Sequence, residues 1–290
     1  MIFDMNEMIL PSPHQAFEWR RSSSHETLVC APLERYAPHF FSTRAWKLGA
    51  SRSPADDDEG WAEIAAAMDV EPKALVRVRQ VHGNAVVVAR RNSPLTEADV
   101  VVTDDPARAI AVQGADCVPL LVADVTRGVV AAAHAGWRGM TKRVPASTVA
   151  GLARAYRSKP EDLVVAVGPS IGACCYQVGQ DVRDSFAAAG FSPSQLDRWF
   201  LARPAERAAN PPMPTIERAV GPGRWFLDLW AVAREQLEAA GVQPDRIFAA
   251  ELCTASHPET LCSYRRDGRE AGRLAAAIKP VRPASVNRRP

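Results

Sequence analysis

The chain has 290 residues, 47% hydrophobic and 23% charged, with a net charge of +2. This is ordinary globular composition with length enough for one large core, and the charge calls for neither a nucleic-acid nor a membrane surface. No apolar run approaches the ~20 residues of a spanning helix, and MIFDMNEMILPSPHQ carries acids and prolines where a secretory signal needs a basic region and an apolar core, so the expected compartment is cytoplasmic.

Residues 1–25 read as an N-terminal extension. Thr27–Cys30 and Phe40–Ser42 are strand-like. Ser51–Asp58 is a polar, acidic loop, and Trp61, Ile64, Ala65 and Met68 recur at helical spacing after a cap near Asp57 or Asp58. Leu75–Val81 and Ala85–Ala89 read as strands around the turn His82-Gly83-Asn84. Val100–Thr103, Ala109–Val112, Val118–Val122 and Val129–Ala133 continue the series. The short turns between them argue for antiparallel or mixed pairing, since a parallel neighbour needs a long crossover.

A helix is expected over Thr141–Tyr156, a strand over Leu163–Val167 and a helix over Gly179–Ala189. Ala202–Arg224, rich in Pro, Ala and Arg, reads as a surface loop. Asp228 caps a helix whose inner stripe runs from Leu229 to Ala240 and which Gly241 ends. Ile247–Ala250 is the last expected strand. Ala271, Leu274, Ala275 and Ile278 give a last helix, and 280–290 is a basic, Pro-rich tail. With no repeat and no linker, residues 26–279 form one α+β domain with mixed β-sheets flanked by helices.

Three residues could ligate a metal: His82, Cys117 and His134 each lie at or just beyond a strand end, where rigid positions can converge. Two imidazoles and a thiolate with a vacant position suit catalytic zinc. The long spacings match no finger or ribbon pattern. A buried cysteine and two locally bonded histidines remain open as an alternative, as does a fourth ligand from Cys174, Cys175 or Cys262. Cys117 could instead be a thiol nucleophile with His134 as general base. Asp116 could orient a histidine or simply hold a turn. The loop Gly168–Gly172 could offer backbone N–H groups to an anion. Arg44, Arg138 and Arg266 could fork onto a phosphate or serve as ordinary surface cations.

Six motifs occur in one order: PHFFSTR (Pro38–Arg44), RQVHGN (Arg79–Asn84), GADCVP (Gly114–Pro119), HAGWRG (His134–Gly139), GPSIGACCYQVG (Gly168–Gly179) and CSYRRDG (Cys262–Gly268). Together they resemble the YfiH/YlmD family, long labelled laccase-like multicopper polyphenol oxidase. The resemblance implies a single α+β domain related to a cysteine-hydrolase superfamily, and a zinc site on His82, Cys117 and His134. It also implies a purine nucleoside phosphorylase that takes adenosine, inosine, guanosine or methylthioadenosine with phosphate, with adenosine deamination in some members.

On that reading Cys117, His134 and Asp116 are the catalytic candidates, and Arg44, Arg138 and Arg266 bind the nucleoside or phosphate. The alternative is a peptidoglycan editing hydrolase that releases L-Ser from UDP-MurNAc-L-Ser. The expected partners are small molecules only, and the expected state is a monomer or small homo-oligomer. The oxidase label fits poorly, because only two histidines sit in the motifs, although copper can occupy such ligands in vitro. Arg44 is followed by AWKLGASRSPADDDEG, without the family's usual glycine pair and Ser-Leu-Asn-Leu run, so part of the substrate pocket differs.

Overall fold

The computed structural model describes residues 10–22, 25–49, 58–90, 95–205, 207–213 and 221–281. Its strands in chain order are β1 (Phe17–Ser22), β2 (His25–Cys30), β3 (His39–Ser42), β4 (Leu75–Val76), β5 (Val86–Val88), β6 (Val100–Thr103), β7 (Ala109–Gly114), β8 (Val118–Asp124), β9 (Val129–Ala135), β10 (Leu163–Val167), β11 (Gln177–Gly179), β12 (Phe200–Leu201), β13 (Arg224–Leu227), β14 (Ile247–Ala249) and β15 (Leu274–Ile278). One mixed sheet runs β1-β2-β3-β15-β7-β4, a second β14-β10-β8-β9-β6-β5, and a small third β11-β13-β12. The fold is a single α+β domain.

The two large sheets pack face to face. Ile110, Val112, Ala276 and Ile278 of the first meet Val101, Leu121, Ala132 and Val164 of the second. The alternate residues of the same strands face outward and are also covered. Ala109, Ala111, Ala275 and Ala277 lie under the helix Asp58–Ala67 through Trp61 and Ile64. Leu120, Val122, Ala131 and Val165 lie under the helices Val144–Tyr156 and Leu229–Ala239. Strands buried on both faces carry no polar alternation, which is why these segments read as continuous apolar runs.

That double burial overturns one expectation. The last segment is not a helix but β15, paired antiparallel with β3 and β7 in the middle of the first sheet. In an all-apolar run such as LAAAI, helical spacing and strand alternation are indistinguishable, and tertiary pairing decides. A second difference is a broken helix. The expected Thr141–Tyr156 becomes Trp137–Thr141 and Val144–Tyr156, split where Arg143 takes a left-handed φ of 60° ahead of Pro145.

Two strands shrink: Leu75–Val81 keeps a ladder over β4 and a single bridge from Arg79 to Glu97, and Ala85–Ala89 keeps its ladder over β5. The first sheet begins inside the expected extension, because β1 pairs along its whole length with β2. In the described part of Ala202–Arg224, Ala205 N donates to Ala173 O, Arg207 pairs with Glu251, Asn210 is buried and Arg224 opens β13. The tail 282–290 and the cap position Asp57 lie outside the described residues. Asp228 accepts hydrogen bonds from Trp230 N and Ala231 N at 3.0 Å, as its capping position requires.

Candidate active site and metal centre

The antiparallel register of β8 and β9 sets Pro119 opposite His134 and Val118 opposite Ala135. Cys117, just before β8, therefore sits beside His134. His82 arrives from the loop after β4. Gln80 fixes that loop, exchanging two hydrogen bonds (2.6 and 2.8 Å) with the backbone of Gln113 in β7. One donor atom from each of His82, Cys117 and His134 lies within 4.8 Å of the others, with His82 exposed, Cys117 partly buried and His134 buried. His82 Nε2 stands 3.9 Å from Cys117 Sγ, and the two imidazoles cross at 80°. Among the described residues no fourth donor joins this group.

Sequence reasoning missed the residue that organises the site. Asp99, wholly buried just before β6, accepts from His134 Nδ1 at 2.9 Å. Its carboxylate also accepts the backbone N–H groups of Val81, His82 and Gly83, at 3.3, 3.0 and 2.5 Å. His82 has a left-handed φ of 57°, and these bonds hold it there. One carboxylate thus selects the His134 tautomer, turns its Nε2 toward Cys117, and fixes the His82 loop. The only signal in the sequence is an acid directly before an apolar strand.

Burial opposes ionisation of Cys117, but the charge and hydrogen bonds of His134 and His82 outweigh it and draw the thiol down to about 6. Burial also opposes a charge on His134, yet Cys117 and Asp99 lift its pKa to about 9. At neutral pH the thiol is therefore ionised and His134 holds the balancing proton, which a metal ion at Nε2 would displace. Gly136 makes this approach feasible, since a Cβ there would lie 2.6 Å from Cys117 Sγ. Two nitrogens and one thiolate converging with an exposed side fit a divalent ion of borderline softness.

Asp116 does not orient a histidine. Its buried carboxylate accepts from Thr254 Oγ1 and from the Arg265 backbone N–H, both at 2.6 Å. It lies at a φ of 85°, costly for a non-glycine residue, and these bonds keep the turn before Cys117 in that shape. Arg266 points into the protein rather than to an open face. Its guanidinium, with the side chain 7% exposed, is consumed by Asp267 and by the carbonyls of Thr254, Ala255 and Leu261.

Nor is Gly168–Gly172 an anion cradle, because its N–H groups go to Pro119 O, Leu252 O, Asp116 O and Cys253 Sγ. Arg44 is exposed along the 258–262 loop, donating to Pro258 O. Arg138 is exposed and stacked 4.3 Å over Trp137. Arg265, the neighbour of Arg266, packs 5.0 Å over Tyr176 and donates to Gln177 O at 2.7 Å. Burial raises the Tyr176 phenol further from ionisation; Cys117 and Asp116 add to this, while Arg265 and Arg138 counter it. These charges therefore share one neighbourhood.

The family described as multi-copper polyphenol oxidoreductase laccase matches residues 46–280. The chain belongs to this family. A relative from Deinococcus radiodurans named purine nucleoside phosphorylase is 35% identical over 252 residues, 83% of this chain and 88% of that one. A Shigella flexneri relative named purine nucleoside phosphorylase YfiH is 31% identical, covering 71% of this chain and 74% of its own. The crystal structure of YlmD from Geobacillus stearothermophilus superposes with a TM-score of 0.73 at 27% identity, over 91% of this chain and 99% of that one. The family's oxidase description needs several histidine-rich copper centres. Here His14 accepts from Ala16 N, His25 pairs with Glu63, His39 is bonded inside the first sheet and His257 to Asn210, leaving two of the six histidines at the site. No helix among the described residues is long and apolar enough to cross a membrane.

Proposed function

We propose that the chain is a zinc-dependent purine nucleoside phosphorylase, cleaving adenosine, inosine, guanosine or methylthioadenosine with phosphate. The observation that carries it is the convergence of His82, Cys117 and His134 on one point with an exposed side, in a chain whose relatives bear that enzyme's name. The zinc ion, when bound to these three residues, supplies Lewis acidity at an open position. Asp99 keeps the His134 Nδ1 proton, so Nε2 is left as the donor. Lys142, which donates to the His82 carbonyl at 3.0 Å, steadies the exposed side.

Arg138 and Arg265 share the surroundings of Tyr176 with Cys117, and Arg44 is an exposed cation against Pro258. Their charge favours phosphate over neutral competitors. A phosphate oxygen bonds to the anomeric carbon as the bond to the purine nitrogen breaks. An anion held beside the developing sugar cation supplies proximity and field together. Adenosine deamination at the same centre is the secondary activity of this reading. The reactants are small molecules, with no nucleic acid or membrane partner.

The test is incubation of zinc-quantified protein with inosine and phosphate. Ribose 1-phosphate and hypoxanthine should form, cease after chelation and return with zinc. Absence of ribose 1-phosphate from fully metallated protein would overturn the proposal. Selective serine release from UDP-MurNAc-L-Ser would put the editing hydrolase in its place.

A further inference from the structure

Behind the Cys117 turn lies a second cluster that the reaction does not use. Cys174, Cys175 and Cys253 are 3%, 1% and 0% exposed, and their sulfurs all lie within 4.8 Å of one another. None forms a disulfide. Cys174 and Cys175 lie in a tight turn in which Cys175 N and Tyr176 N both donate to Gly172 O, at 3.0 and 2.9 Å. Cys253 is held by its neighbours: its N–H donates to Asn210 Oδ1 at 2.7 Å, and it bridges to Ser170.

Polar groups converge on the sulfurs. Ser256 Oγ lies 3.7 and 3.6 Å from Cys174 and Cys175, and the Gly172 N–H donates to Cys253 Sγ at 3.3 Å. Buried cysteines that serve only as packing behave as small hydrophobes. Three sulfurs turned toward one another, with O–H and N–H groups at their backs, form a prearranged ligand set instead.

We propose that Cys174, Cys175 and Cys253 form a second metal site, an all-sulfur pocket for Cu(I). With a metal–sulfur bond of about 2.3 Å, three sulfurs around one ion stand about 4 Å apart, so the cluster needs only a small contraction. The ligand set selects the ion. Structural zinc takes four ligands; among the described residues this group has three sulfurs and no imidazole or carboxylate within 4.8 Å of them, His257 nearby being bonded to Asn210. Buried, low-coordinate surroundings built of sulfur favour a soft monovalent ion. The ion enters already as Cu(I), so no electron is transferred. Two thiols lose their protons to solvent and the third stays protonated, leaving one net negative charge that Gly172 N–H and Ser256 hydroxyl help to hold.

The site is also coupled to the first. Thr254, next to Cys253, donates to Asp116, which precedes Cys117. A loaded thiol cluster stiffens the turn that presents Cys117.

The experiment uses the full chain carrying His82→Ala and Cys117→Ala, which removes the first site. It is titrated anaerobically with Cu(I) against bathocuproine disulfonate. One equivalent should bind, with an X-ray absorption shell of sulfur only at about 2.3 Å, and that equivalent should vanish on adding Cys253→Ser. Cys174→Ser provides a second variant should Cys253→Ser fail to fold, and the coordination shell of the parent variant is informative without either. No uptake, nitrogen in the shell, tighter binding of zinc than of Cu(I), uptake unchanged by both serine variants, or a disulfide among the three in native protein would each overturn the assignment.

Discussion

The Asp99 carboxylate joins His134 Nδ1 at 2.9 Å while gathering three consecutive N–H groups from the loop that carries His82. Two imidazoles from separate parts of the chain are thus aligned by one buried acid. Asp99→Asn keeps the volume but turns one acceptor into a donor aimed at those N–H groups. Metal affinity should fall by about 10- to 100-fold, and stability by about 1–3 kcal/mol. Chelator competition and urea denaturation measure the two effects. Wild-type affinity in Asp99→Asn would show that the histidines orient themselves.

Gly136 sits where the chain passes closest to the cysteine. Gly136→Ala places a methyl group 2.6 Å from Cys117 Sγ and 3.2 Å from His82 Cδ2 in the unrelaxed structure. Relief requires the ligands to move apart. The variant should fold with a loss of about 1–3 kcal/mol, yet bind metal substoichiometrically. Full metal content in purified Gly136→Ala protein would mean the ligand loop yields easily.

Arg138 and Arg266 should separate cleanly. Arg266→Ala strands three carbonyls and Asp267 in a partly buried network, so its main effect is on stability, about 2–4 kcal/mol. Arg138→Ala removes an exposed cation and should leave the melting temperature nearly unchanged while raising KM for phosphate. Thermal melts and phosphate-dependent kinetics on both variants decide; the reverse pattern would exchange their roles.

His39 makes stability depend on pH away from the metal centre. Its ring lies inside the first sheet, accepting from Cys30 N at 3.0 Å through Nε2 and donating from Nδ1 to Ala37 O at 2.9 Å. Burial pushes its pKa from 6.5 down to about 4, only partly opposed by the Ala37 carbonyl. Because the folded value is depressed, the contribution is complete above about pH 6.5 and is lost as pH falls through about 4. The shift corresponds to a ceiling of about 3 kcal/mol. Denaturation midpoints should drop across that window in wild type and drop less in His39→Phe, whose stability is lower but flatter with pH. Parallel pH profiles would assign the acid sensitivity elsewhere.

The linear chain determined more of the site than of its supports. The strands β6 to β10 follow from short apolar runs punctuated by turn residues, and the helix from Leu229 follows from its Asp228 cap and periodic stripe. His82, Cys117 and His134 were legible as candidate ligands because metal-binding side chains at strand ends are chemically conspicuous. Tertiary structure alone decided that LAAAI is a central strand, since a run without polar residues has no visible period until both its faces are covered. It alone chose Asp99 over Asp116 as the partner of His134, and spent Arg266 on carbonyls while leaving Arg138 exposed. An aspartate or arginine looks the same in a sequence whether it orients a ligand, closes a turn or faces solvent. Only the positions of the acceptors and donors around it, brought from distant segments by sheet pairing, separate those roles.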